Sequence, residues 1–252
     1  MLKLFGKIRQ RLLDDGQFTK YLIYAFGEIL LVVIGILIAL QVNNFNENRK
    51  IKTYEIEILK DLIMGIKDDS TSIKYNIDRH SEAINSCKIL LNIHNKNIGY
   101  NDSLAYHFAA IHYITLFEEN IGAYESLKSK GVETISNKEL RFKIINLYEK
   151  WYPLVQQNDE ILTNDVLHIK RNFNPKHFDK FQLFEIAPPA FIYNGEMIPN
   201  NITQLQNNVE YKYFLNSLLS SHSAVLAFYI YIKEMGSIII NESNSEIQKL
   251  EG

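Results

Sequence analysis

A long apolar run near the start of the chain is the strongest feature of the hydrophobic pattern. Residues Tyr21–Val42 read YLIYAFGEILLVVIGILIALQV, and Glu28 is the only charged side chain among them. As an α-helix this run would be about 33 Å long, close to the roughly 30 Å hydrocarbon core of a bilayer. A buried helix of a soluble protein is the alternative, but Ile29–Leu40 contains no polar side chain. The pattern predicts a transmembrane helix at residues 21–42.

The two flanks of this run predict how it is inserted. The run exceeds the roughly 7–15 apolar residues of a signal peptide, and no Ala-x-Ala cleavage site follows it, which favours an uncleaved signal anchor. Residues 1–20 are rich in Lys and Arg, whereas the basic residues after the run are mixed with glutamates. By the positive-inside rule we expect residues 1–20 in the cytoplasm and residues 43–252 outside it. In a Gram-negative bacterium this describes a single-pass inner-membrane protein with a periplasmic C-terminal domain.

The basic start also has a pattern of its own. Its apolar residues Leu4, Phe5, Ile8 and Leu12 fall on one helical face. Its basic residues are Lys3, Lys7, Arg9 and Arg11. A short cationic amphipathic helix of this kind lies on an anionic membrane surface. A disordered basic tail is the alternative.

Glu28 and two small residues share one face of the predicted transmembrane helix. At 100° per residue, Glu28, Gly35 and Ala39 fall within about 20° of one line. Small residues four apart let two helix backbones approach closely, and a carboxyl group on the same line would face the partner helix. This indicates a helix interface with a second copy or another membrane protein. Two other interpretations of Glu28 stay open: that it marks the cytoplasmic boundary of the span, or that it carries protons or pairs with a cation.

Helical periodicity continues after the span with no helix breaker. Residues alternate by four and three along about five heptads, which predicts one long helix at residues 46–95. The predicted seam consists of Leu59, Ile63, Ile66, Ser70, Ile73, Ile77, His80, Ile84, Cys87 and Leu91.

The rest of the chain predicts further helices and one small β-hairpin. The expected helices cover residues 102–119, 122–130, 136–172 and 208–246. Four of the five prolines lie between Pro175 and Pro199, where Ala190–Tyr193 and Glu196–Ile198 flank an Asn-Gly pair typical of a hairpin turn. The sequence therefore predicts an all-α protein, in which a transmembrane helix continues into an antiparallel helical bundle with a small hairpin near 190–198.

Local signals predict where these helices begin, bend and end. Asp102 is the expected cap of one helix, and Ser136 with Glu139 fits a capping box at the start of another. Gly131 suits a helix C-terminus, and Pro153 predicts a kink. The 136–172 helix carries one apolar stripe at Leu140, Ile144, Leu147, Trp151 and Leu154 and a second at Ile145, Tyr148, Tyr152 and Val155. The expected buried face of the last helix is Val209, Phe214, Leu218, Val225, Phe228, Ile232 and Met235.

Composition and charge exclude several classes of protein. The chain has 252 residues, 46% of them hydrophobic, which is enough for a packed core and excludes a wholly disordered protein. The net charge is −2, divided into about +3 for residues 1–20 and about −4 for residues 43–252. This distribution predicts no nucleic-acid binding, which needs a basic surplus. The single cysteine, Cys87, excludes an intrachain disulfide and any cysteine-based zinc site.

No motif in the sequence predicts catalysis or a cofactor. Dinucleotide, phosphate-loop and nucleophile-elbow patterns are missing. His107 and His112 fall on different helix faces, Asp165 and His168 form one isolated pair, and the serines around His222 lack an orienting carboxylate. The sequence therefore predicts no catalytic, cofactor-binding or metal-binding residue and no enzyme.

Two function hypotheses remain. The first is a membrane-anchored helical interaction protein, acting as a scaffold, an accessory subunit or a homo-oligomer, whose partners are the lipid bilayer and a second copy or another membrane protein. The alternative is a periplasmic ligand-sensing bundle that signals through a membrane partner. Whether it binds a small molecule stays open.

The segment GEILLVVIGILIALQVNNFNE at Gly27–Glu47 resembles the signature of a family of uncharacterised single-pass membrane proteins common in Bacteroidota. Lys7–Gln10, Lys20–Leu22 and Tyr124–Arg141 also look like that family, although Phe45 stands where Trp is expected. The resemblance implies a membrane anchor and a helical fold. It transfers no catalytic residue.

Overall fold

The computed structural model describes residues 18–96, 98–182, 185–187, 190–192 and 195–252. The contacts within the chain divide it into two units, Met1–Tyr54 and Glu55–Gly252. The basic residues predicted to lie on the membrane surface, Lys3, Lys7, Arg9 and Arg11, are outside the described residues.

In the first unit the described residues form one apolar helix. Helix α1 spans Phe18–Lys96 and contains the whole predicted transmembrane segment. Every side chain from Ile29 to Thr53 is exposed. The most apolar window of the helix has a mean hydropathy of 2.5, and none of it is buried. By length and composition α1 can cross a membrane.

In the second unit, the rest of α1 buries an unbroken heptad face. The buried side chains are Glu55, Leu59, Leu62, Ile66, Asp69, Ile73, Asn76, His80, Ala83, Cys87 and Leu90. One column of the predicted seam is therefore confirmed, whereas in the other column only Ile63 is buried. Ser70, Ile77, Ile84 and Leu91 are only half-buried. The second buried column lies one residue before the predicted one in the sequence. It includes the polar residues Asp69 and Asn76, each of which has a hydrogen-bond partner inside the bundle.

The last long helix, α8, carries a second heptad face. It spans Val209–Glu251, close to the predicted range, and Asn208 caps it by accepting a bond from the Tyr211 N–H. The buried residues of α8 are Tyr211, Leu215, Leu218, His222, Val225, Tyr229, Ile232, Gly236, Ile239, Ser243, Glu246 and Ile247. Val209 was expected in the core but is 82% exposed. By length and composition α8 can also cross a membrane, although 28% of its most apolar window is buried.

The two heptad faces pack against each other in antiparallel order. Gly236 of α8 lies so close to α1 that an added Cβ would be 3.0 Å from Cγ2 of Ile66. Further along, His80 of α1 meets His222 of α8. Because the numbers rise on one helix as they fall on the other, the predicted antiparallel bundle is confirmed.

The third long element begins at a cap that differs from the predicted one. Helix α4 spans Lys138–Asn146, and its N-cap is Asn137, whose Oδ1 accepts bonds from the backbone N–H groups of Glu139 and Leu140 at 3.1 and 3.2 Å. Ser136 does not form the expected capping box, because its N–H and hydroxyl both donate to Oε1 of Glu55 at 2.7 and 2.9 Å.

The predicted kink at Pro153 takes the form of a π-helical turn. Residues Leu147–Trp151 form this turn, and helix α5 follows at Tyr152–Asn172. A π turn holds one more residue than an α turn, so it shifts the buried stripe by one position. Leu140 and Ile144 are buried before it, Leu147 at its first position, and Tyr152 and Val155 after it. Trp151 and Leu154, which the first predicted stripe included, are only half-buried.

Shorter segments lie between α1 and α4 along the chain. Helix α2 covers only Leu104–Ala110, and it begins after Ser103 rather than at Asp102. The chain from 111 to 121 is not helical, so the expected helix to residue 119 is wrong. Asp69 of α1 explains part of this path, since its Oδ1 accepts the Asn120 N–H at 2.8 Å. Helix α3, at Gly122–Lys130, ends as predicted at Gly131, whose φ of +102° favours glycine.

Four short strands pair in an order that differs from the predicted hairpin. After α6 (Asn174–His177), strands β1 (Phe178–Gln182), β2 (Glu185–Ala187), β3 (Ala190–Ile192) and β4 (Glu196–Pro199) follow. β3 pairs with β2, and β4 pairs with β1, all antiparallel. Both predicted strands therefore exist, but they do not pair with each other. Helix α7 (Ile202–Gln206) leads to α8.

We expect Asn137→Ala to lower the free energy of unfolding by about 1–2 kcal/mol, because it removes the cap of α4 and a 2.9 Å bond from Nδ2 to Glu246. Urea unfolding of the full chain in mild detergent, followed by the fluorescence of Trp151, measures it. Asn216→Ala is the control, since the exposed Asn216 bonds only within its own helix; its effect should stay within about 0.5 kcal/mol. Equal effects of both substitutions would contradict the assignment of the cap.

Candidate functional site

Six polar side chains meet in the middle of the bundle. They come from three long helices and from the non-helical segment 111–121, and their exposed fractions lie between 0 and 6%. The six are Asn76 and His80 of α1, Thr115 of the segment, Asp159 of α5, and His222 and Tyr229 of α8. We call this set the polar cluster.

The heptad positions explain why the helical members point inward. Asn76 and His80 occupy two successive positions of the buried α1 face, and His222 and Tyr229 are one heptad apart on the buried α8 face. Side chains at such positions face the neighbouring helices whatever their polarity. Burial of these groups is therefore imposed by the helix period, and each must find hydrogen-bond partners inside.

One line of hydrogen bonds runs through the cluster. Nε2 of His222 bonds the Ile111 carbonyl oxygen at 3.2 Å, and Nδ1 of His222 lies 3.0 Å from Nδ1 of His80. On its other side, Nε2 of His80 lies 2.8 Å from Oγ1 of Thr115, and that oxygen lies 3.3 Å from Oδ1 of Asp159. We call these four contacts the hydrogen-bond chain.

A branch of the cluster reaches the second oxygen of Asp159. The Tyr229 hydroxyl donates to Oδ2 of Asp159 at 2.5 Å, and Nδ2 of Asn76 donates to the Tyr229 oxygen at 2.9 Å. The Phe117 backbone N–H also bonds the Asp159 carboxyl. Asp159 is thus bonded by groups from α8 and the 111–121 segment, while α1 contributes indirectly, through the bond from Asn76 to Tyr229.

Burial keeps the imidazoles of the cluster neutral at pH 7. It lowers the pKa of His80 to about 3, and the neighbouring His222 acts in the same direction. It lowers the pKa of His222 to about 4, against the opposing effect of the Ile111 carbonyl. Burial also raises the pKa of Asp159 to about 6, although the bonds from Tyr229 and Thr115 oppose this rise. The acid and the two bases are therefore each shifted toward the uncharged form.

The polar cluster is closed to any substrate. His80, His222 and Tyr229 are fully buried, and the members touch one another rather than lining a cleft. The serines beside His222 do not join it: Ser221 bonds Asp165 at 3.4 Å, outside the cluster. Among the residues that the structure describes, no group of three or more His, Cys, Asp or Glu side chains could hold a metal ion.

A second buried carboxylate lies further along α1. Oδ2 of Asp69 accepts the Tyr152 hydroxyl at 3.0 Å, in addition to its bond from the Asn120 N–H. Burial raises the pKa of Asp69, and these two bonds oppose the rise. This carboxylate joins α1 to the start of α5 and to the 111–121 segment.

The sequence-predicted interface residues lie in the first unit and do not enter the cluster. Glu28 is half-buried and Ala39 is exposed. An added Cβ at Gly35 would meet nothing within 4 Å, so that side of the helix is open in a single chain. Whether Glu28, Gly35 and Ala39 contact another helix stays a prediction.

More than half of the chain matches a known family of proteins. Residues 28–187 match the model of a group described as "Family of unknown function (DUF6090)". The chain belongs to this family. No curated protein and no solved structure matches it. The DUF6090 match confirms the resemblance to an uncharacterised family, and it begins at Glu28.

The DUF6090 match includes four members of the cluster and stops before the other two. Asn76, His80, Thr115 and Asp159 lie within residues 28–187, whereas His222 and Tyr229 lie beyond them. The sequence pattern placed His80 in the predicted seam but did not predict the cluster. The available signal was polarity recurring at core heptad positions, at Asp69, Asn76 and His80.

We expect Tyr229→Phe to lower the free energy of unfolding by about 1–3 kcal/mol, because Asn76 and Asp159 would each lose a buried partner. Urea unfolding at pH 7 measures the change. Tyr231→Phe is the matched control on the same helix, since Tyr231 is 38% exposed and should tolerate the loss of its hydroxyl. A Tyr229→Phe protein as stable as the control would show that the branch contributes nothing.

Proposed function

We propose that the protein is a membrane-anchored helical interaction protein of the DUF6090 family, acting as a scaffold or accessory subunit and forming contacts in the bilayer. In this proposal residues 21–42 span the inner membrane, residues 1–20 lie in the cytoplasm, and residues 43–252 form a periplasmic bundle. The observation that carries it is the helix of the first unit, whose strongly apolar residues from Ile29 to Val42 are all exposed. Such a surface is stable in lipid or against a partner, and costs free energy in water.

The second unit supports an interaction role more than a catalytic one. Its convergent titratable groups, His80, His222 and Asp159, are closed to solvent. General acid–base catalysis needs such groups within hydrogen-bond reach of a substrate. The bundle therefore offers helix surfaces, rather than an open polar cleft, among the described residues.

In this proposal the membrane helix associates through the line formed by Glu28, Gly35 and Ala39. The open space around Gly35 lets a second backbone approach closely, and the Glu28 carboxyl group would then face the partner. A second copy of this chain is the partner we test first.

One observation favours the alternative, a sensing bundle that acts through a membrane partner. Polar groups from α1, α5 and α8 converge at one place, as in a ligand site. However, they contact each other directly, so a small organic molecule would have to displace them. A sensing role is therefore restricted to a ligand that fits between bonded atoms.

We expect Gly35→Leu to reduce cross-linked oligomers of the full chain in membranes, because the larger side chain holds the two backbones apart. Glu28→Gln should change the same oligomers if the carboxyl group lies at the interface. Gly27→Leu is the matched control: it is the same substitution, also in open space, about 100° away from Glu28 around the helix. Unchanged oligomers in Gly35→Leu and Glu28→Gln would reject this interface.

Reporter fusions at residue 10 and residue 252 test the orientation. The basic residues Lys3, Lys7, Arg9 and Arg11 should keep the N-terminus in the cytoplasm. At residue 10, a reporter that works only in the cytoplasm should therefore be active, and at residue 252, a reporter that works only after export should be active. A cytoplasmic C-terminus would overturn the periplasmic placement of the bundle.

A further inference from the structure

The hydrogen-bond chain has an acceptor at both ends. It begins at the Ile111 carbonyl oxygen and ends at a carboxyl oxygen of Asp159, with His222, His80 and Thr115 between them. Its four contacts need four hydrogens. Two neutral imidazoles and one hydroxyl supply only three, since each carries one N–H or O–H. When Asp159 is ionised, one of the four contacts therefore lacks a hydrogen.

We infer that the hydrogen-bond chain is a proton-binding site, which takes up one proton when the bundle folds and carries it on Oδ1 of Asp159. The ligand is a hydrogen ion. Protonated Asp159 then donates to Thr115, Thr115 donates to His80, His80 donates through Nδ1 to His222, and His222 donates through Nε2 to the Ile111 carbonyl. All four contacts have a hydrogen, and no member is charged.

The alternative position of the proton is an imidazole. If Thr115 donates to an ionised Asp159, then His80 or His222 must be an imidazolium to satisfy the remaining contacts. This arrangement places two opposite charges in the interior, where the cost of removing them from water is large. The neutral arrangement avoids that cost. Two hydrogens shift, one from Asp159 to Thr115 and one from Thr115 to Nε2 of His80, to convert the neutral arrangement into one with a His80 imidazolium, and no atom is added or lost.

No other charged side chain among the partners described for the cluster provides a counter-charge. The other groups that face the hydrogen-bond chain are Asn76 from α1, the Phe117 N–H from the 111–121 segment, and Tyr229 from α8. His112 is a further titratable group that interacts with His222. Its pKa is lowered to about 4 by burial, and its nitrogens bond the Phe108 carbonyl and Asn174.

Protonation of Asp159 makes the folded state more stable at low pH. Burial raises the pKa of Asp159 from 3.8 to about 6. A group with a raised pKa stabilises the folded state fully below its unfolded pKa, and this contribution is lost as the pH rises through about 6. The buried histidines act in the opposite direction, because their pKa values are lowered from 6.5; their contribution is lost as the pH falls from about 6.5 toward 4. Comparison with a variant that lacks only the acid separates the two effects.

Asp159→Asn is that variant. Its amide can donate a permanent hydrogen to Thr115 and still accept the Tyr229 hydroxyl, so it reproduces the protonated acid. Between pH 4 and pH 7, the unfolding equilibrium constant of the natural chain should rise by about a hundredfold relative to that of Asp159→Asn. Asp165→Asn, on the same helix and with Ser221 as its partner, should follow the natural chain. Parallel pH profiles of the natural chain and Asp159→Asn would overturn the proposal.

Infrared difference spectra of the full chain in mild detergent measure the protonation of Asp159 directly, which a change in stability alone would not alter. At pH 5 the natural chain should show a protonated-carboxyl absorption that is lost by pH 8, kept in Asp165→Asn and missing from Asp159→Asn. If Asp159→Asn does not fold, Thr115→Ser and Thr115→Val replace it. In Thr115→Ser the absorption should still be lost with a midpoint near pH 6, and in Thr115→Val this midpoint should shift. Absence of the absorption in the natural chain, or titration of His80 or His222 near pH 6 instead, would overturn the proposal.

Discussion

The burial of Asp159 is the constraint on which the centre of this bundle depends. A carboxyl group at 3% exposure is costly unless every lone pair finds a donor, and no single element can supply them all. Tyr229 must arrive from α8, Thr115 and the Phe117 N–H from the 111–121 segment, and Asn76 must hold Tyr229 from α1. Asp159 of α5 is therefore bonded to α8 and to the 111–121 segment, and through Tyr229 it is linked to α1. These bonds explain why a segment without helical hydrogen bonds can pass through a helical protein.

The same rule operates at the two buried acids of α1. Glu55 accepts the N–H of Ser136, and Asp69 accepts the N–H of Asn120. Each acid thus satisfies backbone groups at a place where the chain leaves a helix or has not yet entered one. Fourteen residues separate them, which is two heptads on one face. The long helix carries acceptors at the points where the returning chain needs them.

Much of the fold could be predicted from periodicity, and the site could not. The long helices, the glycine at the end of α3 and the start of α8 near residue 208 follow from local patterns that the structure confirms. The polar column of α1 was missed because Asp69 and Asn76 do not count as apolar, and their partners Asn120 and Tyr229 are distant in sequence. The strand pairing was wrong for a similar reason: an Asn-Gly pair favours a hairpin locally, but β4 pairs with β1 across the chain. Contacts between distant residues decided each of these outcomes, and a single sequence does not display them.

The π-helical turn at Leu147–Trp151 has a consequence for the chemistry of the interior. If the same residues wound as an uninterrupted α-helix from α4, the helix would continue the stripe of Leu147 and Trp151 and would turn Asn158 toward the bundle centre. An amide would then stand where the acid now lies, with its own hydrogens and nothing to titrate. One extra residue in a single helical turn thus selects between two side chains that are adjacent in the sequence. That choice decides whether the interior can respond to acidity.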